Sequence, residues 1–171
     1  MLDKTIFISK SKLLNMFREM RRKKQALSEE ECIDILINEP RGVIAVLGDN
    51  DYPYTVPQSH VYVDGKIYFH GTIKDSHMRD SIEKHDKVSY CVINKGVKSD
   101  SWWYTFKSVI VFGRMRTIKD KDLKIEKLTH LGNKFFPSEE ETKSEIDRLL
   151  DVTELYEITI EHMSGKIVEE K

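Results

Sequence analysis

Apolar and polar residues alternate through the middle of the chain in a pattern that predicts β-strands. Two alternating runs, residues 54–63 and 66–70, flank the dipeptide Asp64-Gly65. Asp-Gly between such runs is a strong signal for a β-hairpin. A further run covers residues 87–93, and aromatic and β-branched residues dominate from 102 to 118. We expect a hairpin and two more strands, with Gly113 as a bend in the last one.

Other apolar runs predict strands with particular positions in a sheet. Residues 43–47 are five consecutive apolar residues between helix breakers, which predicts a strand covered on both faces. Pro57 cannot donate to a ladder, so its strand should be an edge or carry a bulge, and the proline could simply protect that edge from aggregation. Residues 155–161 and 166–169 are expected to form a closing hairpin around Ser164-Gly165.

Apolar residues at helical spacing predict five helices. The helices cover residues 11–24, 28–38, 76–85, 119–136 and 138–150. Ser28 with Glu31, and Ser138 with Glu141, match the capping box that begins a helix. The positions expected to be buried are Ile33, Leu36, Ile37, Ile146 and Leu149, and the helical spacing in residues 119–136 is that of Ile125, Leu128, Leu131 and Phe135. Short turns between strands and helices outside them predict a small antiparallel β-barrel of the α+β class.

Length and composition limit the classes of protein to consider. A chain of 171 residues fits a single domain spanning residues 1–171. Its 28 Lys and Arg against 29 Asp and Glu lack the excess positive charge that favours nucleic acid. No apolar run approaches the roughly 18 residues of a membrane span. Cys32 and Cys91 form no CxxC pair, which suggests a reducing, cytoplasmic setting.

The histidines do not have the spacing of a metal site. His60, His70, His77 and His85 are ten, seven and eight residues apart, whereas zinc sites use closer ligand pairs. The GxSxG, HExxH, P-loop and GxGxxG motifs are also absent. We therefore expect no bound metal and no hydrolase or Rossmann site.

The segment after the second hairpin strand has the composition of a phosphate site. It contains His70, Gly71 and Thr72 at a strand end, and Lys74, Ser76 and His77 at a helix start. Cations, hydroxyls and free N–H groups at a helix N-terminus bind anions. The same residue types also occur in loops that serve only as turns and helix caps.

Several segments, taken in order, resemble the pyridoxamine 5'-phosphate oxidase-like, FMN-binding split-barrel superfamily, on the branch that includes nitroimidazole-resistance proteins. The segments are residues 20–23, 27–31, 52–54, 56–57, 62–70, 77–82 and 108–113. Together they extend from about residue 16 to 118. The resemblance implies a split barrel that binds FMN.

The resemblance also implies roles for individual residues. Val56, Pro57, Gln58 and Ser59 would lie along the flavin ring. The residues that would hold the ribityl phosphate are His70, Gly71, Thr72, Lys74, Ser76 and His77. His70 is also the best candidate to contact the substrate or the ring, the alternative being a buried histidine that is hydrogen-bonded to a carbonyl. Relatives often have lysine where this chain has Met78 and glycine where it has Ser76, so Lys74 or Arg79 would substitute.

Relatives are homodimers with flavin in a groove between subunits, so the resemblance implies a homodimer here. Residues 102–112 are the candidate interface, with Trp103 and Ser108 as contacts from the second chain; the same strand could equally be barrel core. The implied function transfers electrons from a reduced nicotinamide to a small organic acceptor such as a nitro-aromatic. The alternatives are a flavin-binding module without turnover and a relative that binds haem or a deazaflavin. Pyridoxamine phosphate oxidation itself is disfavoured, because that enzyme's substrate-phosphate residues have no match in the C-terminal third.

Overall fold

The computed structural model describes residues 17–170. Its strands are β1 (Arg41–Leu47), β2 (Pro53–Ser59), β3 (Val61–Val63), β4 (Lys66–Thr72), β5 (Lys87–Ile93), β6 (Val97–Lys98), β7 (Tyr104–Thr117) and β8 (Thr153–Glu170). Its helices are α1 (Glu29–Asn38), α2 (His77–Lys84), α3 (Lys121–Phe135) and α4 (Glu139–Leu149). The Asp64-Gly65 hairpin is confirmed, and both turn residues have positive φ, at 52° and 76°, as a type I′ turn requires.

The strands form one antiparallel sheet in the order β2-β1-β5-β7-β8-β4-β3, with β6 paired to β7. Its two edges, β2 and β3, are consecutive in the chain and separated only by His60. Because one short segment forms both edges, the sheet must curl back on itself. The result is a split barrel with helices around it, so the predicted α+β fold class is confirmed.

His60 is the corner where the two edges meet. Its ring is fully buried; Nε2 lies 2.8 Å from the Leu36 carbonyl oxygen and Nδ1 lies 2.9 Å from the Tyr90 hydroxyl. Because a carbonyl only accepts, Nε2 donates and Nδ1 accepts from the hydroxyl. The predicted strand 54–63 is therefore interrupted at one residue. Pro57 lies on an edge strand, as predicted.

The barrel interior and the outer layer have separate apolar clusters. The interior includes Leu36, Ile44, Phe69, Tyr90, Val111 and Ile158, all fully buried. Under α3 and α4, a second cluster contains Tyr68, Ile118, Leu128, Leu131 and Leu155. The expectation that residues 43–47 are covered on both faces is wrong, since burial alternates along β1 and Val43 is exposed. On α1, Cys32 and Ile35 are buried instead of Ile33 and Ile37.

The predicted C-terminal hairpin is wrong. β8 is one continuous strand of 18 residues that pairs with β4 and then with β7. Gly165 is not a turn residue; a Cβ atom there would lie 2.4 Å from the Cys32 sulfur. The glycine allows close packing of α1 on β8. A register shift lies at the predicted position, between Phe112 and Gly113, but the extra residue is Glu161, so the bulge belongs to β8 and the bend in β7 stays a prediction.

The predicted helices are confirmed except the first. The first part of the predicted helix 11–24, residues 11–16, lies outside the described residues. Residues 17–22 are not helical, and only a 3₁₀ turn at Lys23–Gln25 follows. Arg18 would face Arg21 and Arg22 one helical turn away, which is unfavourable. The Ser28–Glu31 capping box has both of its bonds, whereas Ser138 accepts from the Glu141 N–H without a reciprocal bond. None of the helices within residues 17–170 has the length and apolar character to cross a membrane.

Candidate functional site

The barrel is open along a split between β2 and the end of β4. β2 is hydrogen-bonded to β1 alone, and β4 beyond Tyr68 is hydrogen-bonded to β8 alone. The two strands lie beside each other across the opening. Each strand therefore has a row of backbone N–H and C=O groups that face the split without a ladder partner. Such a cleft can contact a flat ligand through backbone groups.

The structure places two groups of predicted site residues on the two sides of this split. Val56, Pro57, Gln58 and Ser59 are the last residues of β2, and His70, Gly71 and Thr72 are the last residues of β4. Pro57 is exposed, whereas the other three β2 residues are half-buried. Ser59 and His70 line one common pocket. These seven residues therefore lie on the two strands that border the split.

The loop after β4 leads directly to the N-terminus of α2. Ser76 caps the helix, since its hydroxyl accepts from the Arg79 N–H at 3.2 Å, and it also lies 3.3 Å from the Tyr156 hydroxyl. Its hydroxyl is therefore already engaged. The N–H groups of His77 and Met78 have no carbonyl partner in the described part of the chain, as is general for the first turn of a helix. These N–H groups can bind an anion.

His77 is held in place by the segment before β2. Its Nε2 accepts a hydrogen bond from the Asp49 N–H at 3.3 Å, and its ring packs on Tyr54 with centroids 4.3 Å apart. The Asp49 carboxylate lies 3.6 Å from Nε2 and 3.5 Å from the Lys84 ammonium group. Because Nε2 faces Asp49, a ligand on the other side of the ring would be contacted through Nδ1.

Two cationic side chains lie near the N-terminus of α2: Lys74 in the loop of residues 73–76, and Arg79 in the first turn of the helix. The Lys74 side chain is exposed and forms no ion pair with any residue of 17–170, so it can bind an anion without losing a partner. Arg79 is more constrained, because its guanidinium group donates to the Ile73 carbonyl oxygen and lies 3.6 Å from the Asp80 carboxylate. Of these two cations, Lys74 is therefore the one that can bind an anion without giving up a present contact.

His70 faces away from the barrel interior, towards α3 and α4. It shares this face of β4 with Tyr68, which belongs to the outer apolar cluster. Much of the residue is open to solvent, yet the protein around the ring removes part of its hydration, which lowers the pKa of His70. The ring is therefore neutral at pH 7 and can donate or accept a hydrogen bond. The structure is compatible with His70 contacting a ligand.

Trp103 and Ser108 lie away from the split within one chain. α2 leads into β5, whose first residues pair with Gly113 and Arg114. Trp103 lies ten residues before Gly113, which is roughly 30 Å along a strand at about 3.3 Å per residue. Ser108 is nearly buried between Ile93 and Lys166. Their assignment as contacts from a second chain remains a prediction.

Three residues near the site were missed from the sequence: Asp49, Tyr54 and Tyr156. Asp49 and Tyr54 contact His77 from more than 20 positions away in the chain, and Tyr156 reaches Ser76 from β8. These residues are too far apart in the sequence for a local motif to have linked them. Within residues 17–170, no three His, Cys, Asp or Glu side chains are grouped so that they could hold a metal ion.

The fold and the cleft define a class of protein, the split barrels with a ligand groove at the barrel opening. A family model described as pyridoxamine 5'-phosphate oxidase matches residues 28–167. The chain belongs to this family. A comparison with curated proteins found no match.

Solved structures support the same fold. A conserved hypothetical protein from Mycobacterium tuberculosis superimposes with a TM-score of 0.74 at 17% identity, over 86% of this chain and 90% of that one. A candidate 5-nitroimidazole antibiotic resistance protein from Bacteroides thetaiotaomicron superimposes with a TM-score of 0.70 at 12% identity, over 84% of this chain and 87% of that one. A FAD-binding protein from Mesorhizobium loti superimposes with a TM-score of 0.62 at 22% identity, over 84% of this chain and 97% of that one.

Proposed function

We propose that this protein is a flavoprotein that binds FMN at the split of the barrel. The observation that carries the proposal is the split itself, which has two free strand edges and ends at the N-terminus of α2 beside the unpaired Lys74. A flat ring with a phosphate tail matches this arrangement. The similar FAD-binding protein from Mesorhizobium loti supports a flavin as the ligand.

Each side of the split has its own part in binding. Residues 56–59 of β2 provide backbone groups for the polar edge of the ring, since β2 lacks a partner on that side. Lys74 and the first N–H groups of α2 bind the phosphate. His77 contributes through Nδ1, while Ser76 holds the helix start. Bound FMN would supply the redox chemistry, and the protein positions it.

The activity that we propose is electron transfer from a reduced nicotinamide to a small organic acceptor, such as a nitro-aromatic. His70 orients the acceptor, because its neutral ring lies at the end of β4 beside the split. Oxidation of a reduced nicotinamide, followed in the presence of a nitro-aromatic, distinguishes this activity from flavin binding without turnover. Free Cys32 and Cys91 agree with a cytoplasmic location.

We further propose a homodimer formed by the outer sheet face, defined here as Val43, Ile93, Ile110 and Phe112. Their exposed fractions are 41%, 56%, 38% and 39%. The strand register brings Val43, Cys91 and Ile110 into one row across β1, β5 and β7. An apolar patch of this kind marks an interaction surface. Trp103 and Ser108 remain the proposed contacts of the second chain with the flavin.

FMN titration of a Lys74→Ala/His77→Ala variant tests the proposed phosphate site. A hydrogen bond to a charged group contributes about 1.5–3 kcal/mol, and about 1.4 kcal/mol is a factor of ten in affinity. We therefore expect FMN binding, followed by quenching of flavin fluorescence, to weaken by about tenfold to a hundredfold.

A His85→Ala/Lys87→Ala variant is the matched control. It removes the same residue types at the other end of α2, where both side chains are exposed. Its FMN affinity should equal that of the natural protein. Equal weakening in both variants would mean that net charge, rather than the α2 N-terminus, controls binding.

A further inference from the structure

A pocket adjoins the split on the outer face of the sheet, between the ends of β2 and β4 and the α3–α4 hairpin. Its volume is about 290 Å³. The walls are mainly apolar, and they include Leu128, Leu131, Phe135, Ile146 and Leu149. A cavity of about 150 Å³ with similar walls is large enough for benzene, so this pocket has room for one substituted ring.

Two polar groups of the sheet reach this pocket with hydrogen-bonding capacity left over. They are the His70 imidazole and the Ser59 hydroxyl, and neither side chain is hydrogen-bonded to a residue of 17–170. Thr153 also lines the pocket, but its hydroxyl already donates to the Leu149 carbonyl oxygen at 2.8 Å. A ligand in the pocket would therefore direct its polar substituent at His70 and Ser59.

The charges around the pocket select against anions. No lysine or arginine lines it, and its acidic residue is Glu145, which is paired with Arg148. A carboxylate or phosphate would lose its hydration there without gaining a cationic partner, which is costly. An uncharged occupant avoids that cost. The lining thus disfavours a phosphorylated pyridoxamine as the occupant.

We infer that this pocket binds an uncharged aromatic molecule of about one ring, with a polar substituent that hydrogen-bonds to His70 and Ser59. The exposed aromatic residues Phe135 and Phe136 form part of the lining and can pack against the ring. The inference deepens the proposed function, because Ser59 and His70 also border the split. The probes are tested on flavin-free protein, so a failure of this pocket is distinguishable from a failure of flavin binding.

Binding of two matched probes to the flavin-free protein tests this inference. 4-Nitrobenzyl alcohol is uncharged and 4-nitrobenzoate is its anionic counterpart, and a ligand-observed NMR titration gives the affinity of each. We expect the alcohol to bind about tenfold more tightly than the benzoate, which corresponds to about 1.4 kcal/mol. Equal or tighter binding of the benzoate would overturn the inference.

Substitutions on the α3–α4 hairpin locate the bound probe. Leu149→Trp fills the pocket and should weaken binding of the alcohol by about tenfold. Ile125→Trp introduces the same side chain into a different groove of the hairpin, and it should leave the affinity within about twofold. Equal affinities for the two variants would place the probe elsewhere and contradict the inference.

A third variant tests the proposed polar contact even if Leu149→Trp fails to fold. His70→Phe keeps a flat ring but removes the hydrogen-bonding nitrogens, and it should weaken binding of the alcohol by about threefold to tenfold, as expected for one hydrogen bond. Unchanged affinity would exclude His70 as the polar contact. If affinity for the alcohol falls as protein concentration rises, a second copy occupies the pocket instead.

Discussion

At the residue scale, His60 links three separate parts of the fold. Its ring contacts α1 through the Leu36 carbonyl and β5 through the Tyr90 hydroxyl, while its backbone joins β2 to β3. Burial, with a smaller effect from Lys134, lowers the pKa of His60 from 6.5 to about 4. A proton on Nδ1 would reverse its hydrogen bond with the Tyr90 hydroxyl, which would then donate to the Gln58 carbonyl oxygen 3.2 Å away. The cost of protonation is therefore the charge that it places in the core.

The lowered pKa of His60 predicts a loss of stability in mild acid. The unfolded chain takes up this proton near pH 6.5, whereas the folded chain resists it until about pH 4. The stabilising contribution is complete above pH 6.5 and is lost as the pH falls towards 4. We expect this residue to account for about 2–3 kcal/mol of the decrease in unfolding free energy between pH 7 and 4.5, measured by urea denaturation.

Two variants separate His60 from the other titrating groups. His60→Gln cannot gain a proton, so its unfolding free energy should fall less between pH 7 and 4.5 than that of the natural protein. His130→Gln removes an exposed histidine on α3 and should keep the natural pH dependence. Identical slopes for the natural protein and His60→Gln would show that His60 is not buried in neutral form.

At the scale of elements, α1 depends on its capping box. The Ser28 hydroxyl accepts from the Glu31 N–H at 3.2 Å, and the Ser28 N–H donates to the Glu31 carboxylate at 2.9 Å. Ser28→Ala should therefore lower the unfolding free energy by about 1 kcal/mol. Ser144→Ala, at an exposed position inside α4, should change it by no more than a few tenths. A Ser28→Ala effect as small as the control would contradict the cap.

Elements governed by local chemistry were predictable from the sequence. The Asp64-Gly65 turn, the Ser28 cap and the Pro57 edge each depend on neighbouring residues, and all three are confirmed. The C-terminal hairpin failed because Gly165 is required for packing against Cys32 on a distant helix. Burial of β1 on both faces failed because the helices cover only part of the sheet. Both causes depend on contacts between distant segments, which no local sequence pattern indicates.

At the scale of the whole molecule, the candidate site depends on which strands are neighbours. His70 and Ser59 line one pocket because β2 and β4 meet across the split, and the sequence segments alone did not place them together. Their assignment to a ligand came from family resemblance. The contacts of His77 with Asp49 and Tyr54 required the folded chain.

The outer sheet face predicts the oligomeric state. Ile110→Glu places a charge in the middle of this apolar face and should convert a dimer, of twice the 20.1 kDa chain mass, into a monomer in light scattering. Val152→Glu introduces the same charge at another exposed apolar position, after α4, and should leave the dimer intact. A natural protein that is already monomeric at micromolar concentration would contradict the proposed interface.

Retention of flavin by the purified protein tests the central claim most directly. The protein is incubated with FMN, freed of unbound flavin by desalting, and examined by visible absorption. The account predicts flavin bands in a stoichiometric amount, because the split and the α2 N-terminus together bind the ring and the phosphate. A colourless protein after desalting, which also fails to quench FMN fluorescence in titration, would leave the split barrel in place and contradict its assignment as a flavoprotein.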